Sequence, residues 1–137
     1  MDGYNTVIEQ IIRWGDMDSM GHVNNVLFFR YMENVRIEYY EKIDFWNSKK
    51  YTGLGPIIAS TYCKFKAPLT YPDTVSVGTK TIKLEDDRFT MKFSILSHKL
   101  NREVAEGEAI VVSYDYNNMK KALLPTEVLN KIKELDF

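Results

Sequence analysis

Residues Arg13 to Asn25 read Arg-Trp-Gly-Asp-Met-Asp-Ser-Met-Gly-His-Val-Asn-Asn. They gather two carboxylates, one of the chain's two histidines, two glycines and two adjacent amides. A carboxylate can attack an electrophilic carbon directly or act as general base on water. A histidine exchanges protons near neutral pH. Asp16 and Asp18 stand two positions apart, close enough for like charges to repel. The residues themselves leave Asp18 open to two readings, a reactive carboxylate or an Asx-turn or capping group. Gly15 and Gly21 supply backbone conformations that other residues avoid.

The elements around this stretch must hold it as a strand-to-helix connection. Before it, Tyr4 to Trp14 carry Val7, Ile8, Ile11, Ile12 and Trp14, a β-branched and aromatic content that predicts a strand. After it, Phe28, Tyr31, Met32, Val35, Tyr39 and Ile43 recur at three- and four-residue steps, predicting a helix from Val26 to Phe45. Asn24 or Asn25 can cap it. Leu27, Phe29 and Tyr40 lie partly off the main stripe, and a helix apolar on more than one side is often wrapped by a sheet. Asn47 to Lys50 read as a polar break and Tyr51 to Pro56 as a loop.

Four further strands follow at hairpin spacing: Ile57–Ala67, Thr74–Leu84, Phe89–His98 and Glu103–Tyr116. In the first, Ile57, Ala59, Cys63, Phe65 and Ala67 share one face. In the last, Ala105, Gly107, Ala109, Val111 and Ser113 form a small-residue face. Asn117 to Lys121 read as a turn. A terminal helix spans Glu127 to Leu135, with Thr126 as its cap. The order predicts an α+β fold, a curved, mainly antiparallel five-stranded sheet around one long central helix. The sheet is the only large partner available to the helix stripe. No repeat, linker or composition shift divides residues 1–137, which read as a single domain.

A formal net charge of −1 gives no general footprint for nucleic acid. Cys63 is the only cysteine, so no intramolecular disulfide can form. The N-terminal residues lack the pattern of a signal peptide, and no apolar run approaches the length of a membrane span. A cytoplasmic protein without membrane contact is the expectation. One cysteine and two distant histidines predict no metal site.

The motif Asp16-x-Asp18-x-x-Gly21-His22-Val23-Asn24-Asn25, followed by Tyr31-Met32-Glu33 and Arg36, resembles the signature of hotdog-fold thioesterases of the 4-hydroxybenzoyl-CoA thioesterase type. The plant acyl-carrier thioesterases share its His-Val-Asn-Asn part. Gly55-Pro56-Ile57-Ile58-Ala59, Tyr71-Pro72-Asp73, Ala105-Glu106-Gly107-Glu108-Ala109, Ser113-Tyr114-Asp115 and Leu124-Pro125 resemble later parts of the family pattern. The resemblance implies a hotdog domain over nearly the whole chain, pairing edge to edge into a homodimer and again into a dimer of dimers, a homotetramer. Active sites would then lie at the subunit interface.

It also implies hydrolysis of an acyl-CoA, or of an acyl carrier protein thioester, with no cofactor. Asp18 matches the family's catalytic carboxylate, as nucleophile or general base; Asp16 is expected to be structural, holding the loop or pairing with Arg13. His22 could hydrogen-bond Asp18, orient the thioester or shuttle a proton. Its counterpart is catalytic in the plant enzymes and is not histidine in the benzoyl type, and Met20 departs from the plant pattern's asparagine. Backbone N–H groups at the helix start would stabilise an oxyanion, with Asn25 as a side-chain donor. Lys64, Lys66 and Arg88, with Lys92 and Lys99, are candidates for the phosphates of CoA. Glu33 and Arg36 are expected to pair along the helix. Cys63 reads as a small hydrophobe, and His98 as a solvent-facing strand-end residue. Two other functions stay open: a hydratase or dehydratase on the same fold with His22 as base, and a non-catalytic acyl-thioester binder. The aspartate-first signature argues against the first, and the lack of a fused output module against the second.

Overall fold

A computed structural model describes residues Met1 to Phe137. Strand β1 spans Thr6–Ile11 and is followed by a short 3-10 turn, Trp14–Asp16. Helix α1 (Asn25–Lys42) and helix α2 (Phe45–Thr52) come next. Then follow β2 (Leu54–Phe65), β3 (Thr74–Leu84), β4 (Arg88–Ser97), β5 (Arg102–Asp115), the two-residue β6 (Lys120–Lys121) and α3 (Thr126–Asp136). All strand pairs are antiparallel, in the order β1-β3-β4-β5-β2, with β6 added to β5. The five expected strands are present. Lys120–Lys121, expected to be a turn, forms a short sixth strand beside Tyr114 and Asp115.

Helix α1 buries Phe28, Tyr31, Met32, Val35, Tyr39 and Tyr40 against the concave face of the sheet. The small-residue face of β5 makes room for it. A Cβ on Gly107 would sit 2.6 Å from the Tyr62 carbonyl oxygen and 2.7 Å from Met32 Sδ, so only glycine lets helix and sheet approach this closely. Phe89, Met91, Phe93, Ile95, Val75 and Val77 complete the core and are all fully buried. Burial of such side chains is the main stabilising term, at about 1.5–3 kcal/mol each.

The structure corrects further sequence expectations. The helix expected to run to Phe45 stops at Lys42, because Asp44 adopts a left-handed conformation with φ 63°. The chain then restarts as α2 through the expected polar break. Only Phe45 of α2 is buried, edge-on to Tyr40 and tilted against Phe89, so the helix has no apolar stripe to read. Strand β2 starts at Leu54, inside the expected loop. Pro56 is tolerated there because β2 is an edge strand that needs fewer N–H donors. A bulge at Ala59, between Ile58 and Ser60, also shifts the alternation of β2. Thr61, Cys63 and Phe65 lie opposite Ala109, Gly107 and Ala105 on the inner side, whereas Ile57 falls on the other face. Finally, Pro125 rather than Thr126 occupies the cap position of α3, with no side-chain capping bond.

Candidate active site

The loop between β1 and α1 is folded by its own polar groups. Met17 and Val23 form an isolated antiparallel bridge, and the Asp18 N–H donates to the His22 carbonyl at 2.7 Å. The Gly21 N–H closes a turn on the Asp18 carbonyl at 3.1 Å, with Gly21 at φ +82°, a value that favours glycine. The loop is tied to the β2–β3 connection by Val23 N–H to the Leu69 carbonyl at 2.8 Å. Ile12 N–H to the Asp73 carbonyl, 2.9 Å, fixes its entry.

Asp16 and Asp18 are used differently. Asp16 Oδ2 accepts the Arg13 N–H at 2.9 Å and the Tyr31 hydroxyl at 3.0 Å, and the Asp16 carbonyl accepts the Asn24 N–H at 2.9 Å. It therefore anchors the loop to α1 and to Arg13, through that residue's backbone. Burial, and then donation to Asp16, push the Tyr31 hydroxyl pKa upward and keep it a donor. Asp18 Oδ1 accepts the Met20 N–H at 2.9 Å and the His22 N–H at 3.4 Å, an Asx turn. Its second oxygen carries no such bond, so the turn and a free carboxylate oxygen coexist in one side chain. His22 meets Asp18 through its backbone, not its ring; the imidazole is exposed and open to a substrate.

Asn24 caps α1: its side chain accepts the Val26 N–H at 3.1 Å, and its carbonyl accepts the Leu27 N–H at 2.9 Å. Asn25 is thereby freed from capping. Its N–H has no acceptor within the chain and stands at the positive end of an 18-residue helix.

His22 and Asn25 line a cavity of about 330 Å³ with Val23, Phe28, Phe65 and Leu69. Phe28 and Phe65 meet edge to face, ring centres 5.1 Å apart at 88°. Phe65, Pro68 and Leu69 belong to the cavity's wall but carry no chemistry-bearing group; Pro68 resembles the family's turn after β2, and the sequence offers no signal for Phe65 and Leu69 beyond an apolar strand end.

The basic residues divide. Lys66 lines the same cavity, but its ammonium is held by Glu103 and, at 3.2 Å, by Glu106. Those two carboxylates raise its pKa. Lys64 is exposed on β2, opposite Glu106. Arg88 is not brought to the loop: it pairs in register with Val112, seven residues along β5 from Ala105, the partner of Phe65, or about 23 Å away. Its guanidinium forks onto Asp87 with two 2.9 Å bonds. Lys92 faces Glu108, and Lys99 donates to Thr70. Glu33 and Arg36 pair at 3.8 Å, and His98 meets the Ser76 hydroxyl at 2.7 Å. Half-buried Cys63 has its thiol pKa pushed up by burial to about 11, which keeps it protonated and unsuited to attack. No three His, Cys, Asp or Glu side chains converge in a way that could hold a metal ion.

A model of the thioesterase-like superfamily matches residues 12–132. A provisionally named esterase of Aquifex aeolicus (strain VF5) is 31% identical over 124 residues, which are 90% of this chain and 94% of that protein. The crystal structure of a thioesterase from Thermus thermophilus, complexed with coenzyme A and zinc, aligns with a TM-score of 0.86 at 27% identity, covering 99% of this chain and 98% of that one. A 1,4-dihydroxy-2-naphthoyl-CoA thioesterase from Synechocystis aligns with a TM-score of 0.83 at 19% identity, covering 96% and 98%, a likeness of fold. The curled antiparallel sheet around α1 is thus the hotdog architecture.

Proposed function

The chain belongs to the thioesterase-like superfamily, and from that premise we propose that it hydrolyses acyl-CoA thioesters at the loop carrying Asp18. The observation that carries this reading is the division of labour within Asp18. One carboxylate oxygen holds the turn and the other is free on an exposed side chain; Asp18 does not itself line the cavity, but its turn closes on His22, which lines it together with Asn25. The free oxygen attacks the thioester carbonyl or takes a proton from the attacking water. The Asn25 N–H, at the start of α1, receives the developing oxyanion. His22 orients the thioester or returns a proton to the leaving thiolate. Asn25's side chain contacts the substrate. Lys64 is the basic residue near the mouth whose charge is free for the carrier's phosphates, since Lys66 and Arg88 are neutralised by carboxylates.

The relative from Thermus thermophilus is complexed with coenzyme A, which supports a CoA thioester. An acyl carrier protein presents the same pantetheine arm and is an alternative donor. The active unit is a homodimer, or a dimer of dimers, joined along β2. That strand pairs only with β5 and exposes Ile57, Ile58, Tyr62 and Phe65; such a free edge calls for a cover, and a two-fold axis supplies one. A second copy would also wall the cavity at Phe65. No helix is long and apolar enough to cross a membrane, and the lone thiol suits the cytoplasm.

A non-catalytic binder is favoured by one observation, the use of Asp18 as a turn former. Thiol release from a panel of acyl-CoAs separates the two readings. Asparagine keeps the Asx turn and removes the charge, so Asp18→Asn should abolish hydrolysis in a folded protein. Full activity in that variant removes Asp18 from the chemistry, and no hydrolysis of any acyl-CoA by the wild type leaves the binder. His22→Ala and Asp16→Asn, assayed alongside, distinguish a proton shuttle from loop support.

A further inference from the structure

A groove of about 300 Å³ runs along α1 on the side facing β2, beginning one residue beyond Asn25. Its near part is apolar, with Leu27 and Phe29. Its far part holds Arg30, Glu33 and Arg36, with Thr61 of β2 on the opposite wall. Two guanidiniums share the single carboxylate of Glu33, at 3.5 Å from Arg30 and 3.8 Å from Arg36. Arg30 is largely in solvent, so its charge is screened. Arg36 is not, since its side chain is only 12% exposed. Its guanidinium also meets the Tyr40 hydroxyl, a neutral partner. Its charge is therefore balanced by one long, shared ion pair and is under-compensated, because burying charge is costly without a close opposite charge. A carboxylate fits it well: the planar fork takes both oxygens at once.

The placement sets a length. Arg36 lies eleven residues beyond Asn25, about 16 Å along the helix axis at ~1.5 Å per residue. Its side chain leans back toward the helix start, leaving roughly 10 Å between the reacting carbonyl and the guanidinium. An extended chain advances about 1.2 Å per bond, so roughly eight bonds fill that span. The apolar lining fits an alkyl chain.

We propose that this groove is the acyl subsite and that Arg36 reads an anionic group at the far end of the acyl chain, so that half-thioesters of dicarboxylic acids of about eight carbons are the preferred substrates. This rests on the thioesterase reading above and adds the substrate class. The guanidinium is a specificity group, remote from the bond that breaks.

The test compares octanoyl-CoA with the CoA half-thioester of octanedioic acid. The wild type should favour the carboxyl-terminated substrate in kcat/KM by about tenfold or more, the scale of a charge-assisted hydrogen bond. Arg36→Met should erase that ratio, and Arg36→Lys should keep part of it. A wild-type ratio near one, or one favouring octanoyl-CoA, overturns the proposal. So does a preference that survives Arg36→Met. An Arg36→Met defect that is equal for both CoA thioesters and vanishes with the matching pantetheine thioesters also overturns it, by assigning Arg36 to the carrier's phosphates. Calorimetric titration with octanedioate and octanoate reads the subsite without turnover. Tighter binding of octanedioate, lost in Arg36→Met, supports the proposal even where no thioester is cleaved, an outcome in which the thioesterase reading fails by itself. Equal binding of the two acids, as when Glu33 of a second copy occupies the guanidinium, overturns it. If Arg36→Met does not fold, the wild-type ratio and Arg36→Lys still decide.

Discussion

Helix α1 carries two tyrosines on one face, Tyr31 and Tyr39, and each donates its hydroxyl to an aspartate, but the two ends of the helix use this pair for different purposes. At the far end, Tyr39 reaches Asp136 Oδ2 at 2.6 Å, and the Thr81 N–H donates to the same oxygen at 2.9 Å. The Thr81 hydroxyl sits 2.6 Å from Tyr39 as well. Burial, then donation to Asp136, drive the Tyr39 pKa upward. Everything polar there is matched, and the result is a clasp that fixes α3 to the sheet. At the near end, Tyr31 and Asp16 make the same bond, yet two residues further on Asp18 keeps a carboxylate oxygen free, and His22 and Asn25 keep an imidazole and an N–H free. All three residues are exposed, so water or a substrate can satisfy those groups. The difference separates carboxylates wholly used within the fold from one that keeps an oxygen open.

Substituting the two kinds of carboxylate tests that distinction most directly. Asp18→Asn preserves the acceptor for the Met20 and His22 N–H groups. Thiol release should fall by about two to four orders of magnitude, while the thermal midpoint stays near that of the wild type. A large drop in midpoint with activity retained would reverse the comparison and make Asp18 a structural residue.

Cys63 extends the comparison to a nucleophile that burial silences. With its thiol at about 11 against an ordinary value of 9.0, alkylation of the folded protein at pH 8 should run about a hundredfold slower than alkylation of the unfolded chain. The sign for stability follows. The folded state prefers the neutral thiol, so the unfolded chain ionises first as pH rises past 9.0, and stability declines between there and about 11. Alkylation at the unfolded rate would show that the wall of β2 against α1 opens readily.

At the far end, Asp136→Ala removes the acceptor for both the Tyr39 hydroxyl and the Thr81 N–H. The expected loss is about 2–4 kcal/mol, with kcat per folded molecule unchanged. Denaturant unfolding and activity on the same samples check both halves. A kcat defect without instability would mean that the clasp communicates with the loop.

The legibility of the two ends also differs. The apolar stripe of α1 and the small-residue face of β5 were readable because each repeats a period, and both bury the residues expected, from Phe28 to Tyr39 and from Ala105 to Ser113. The loop was readable as a candidate site because Asp16, Asp18, His22 and the two asparagines crowd together. What each one does was less so. Capping by Asn24 rather than Asn25, and contact with His22 through its backbone, depend on torsions that residue types do not encode. The far clasp escaped notice because Tyr39, Thr81 and Asp136 are scattered along the chain and meet only when α3 packs. Helix α2 was hidden for a third reason: Phe45 is its single buried anchor, and one residue has no period. The Ala59 bulge adds a residue that no alternation rule anticipates.

The two adjacent asparagines give the finest form of the comparison, since identical side chains one position apart should answer differently. Asn24→Ala removes the acceptor of the Val26 N–H and should cost about 1 kcal/mol, or roughly 3–5 °C in midpoint. It should leave KM nearly unchanged, because the Asn24 side chain points at its own helix. Asn25→Ala touches no capping bond and should leave the midpoint in place. It lines the cavity beside His22, so its effect should appear in KM. Equal loss of stability from both would mean that the amides exchange the capping role. In that case the Asn25 N–H would not stand free at the helix start, and the oxyanion would need a different donor.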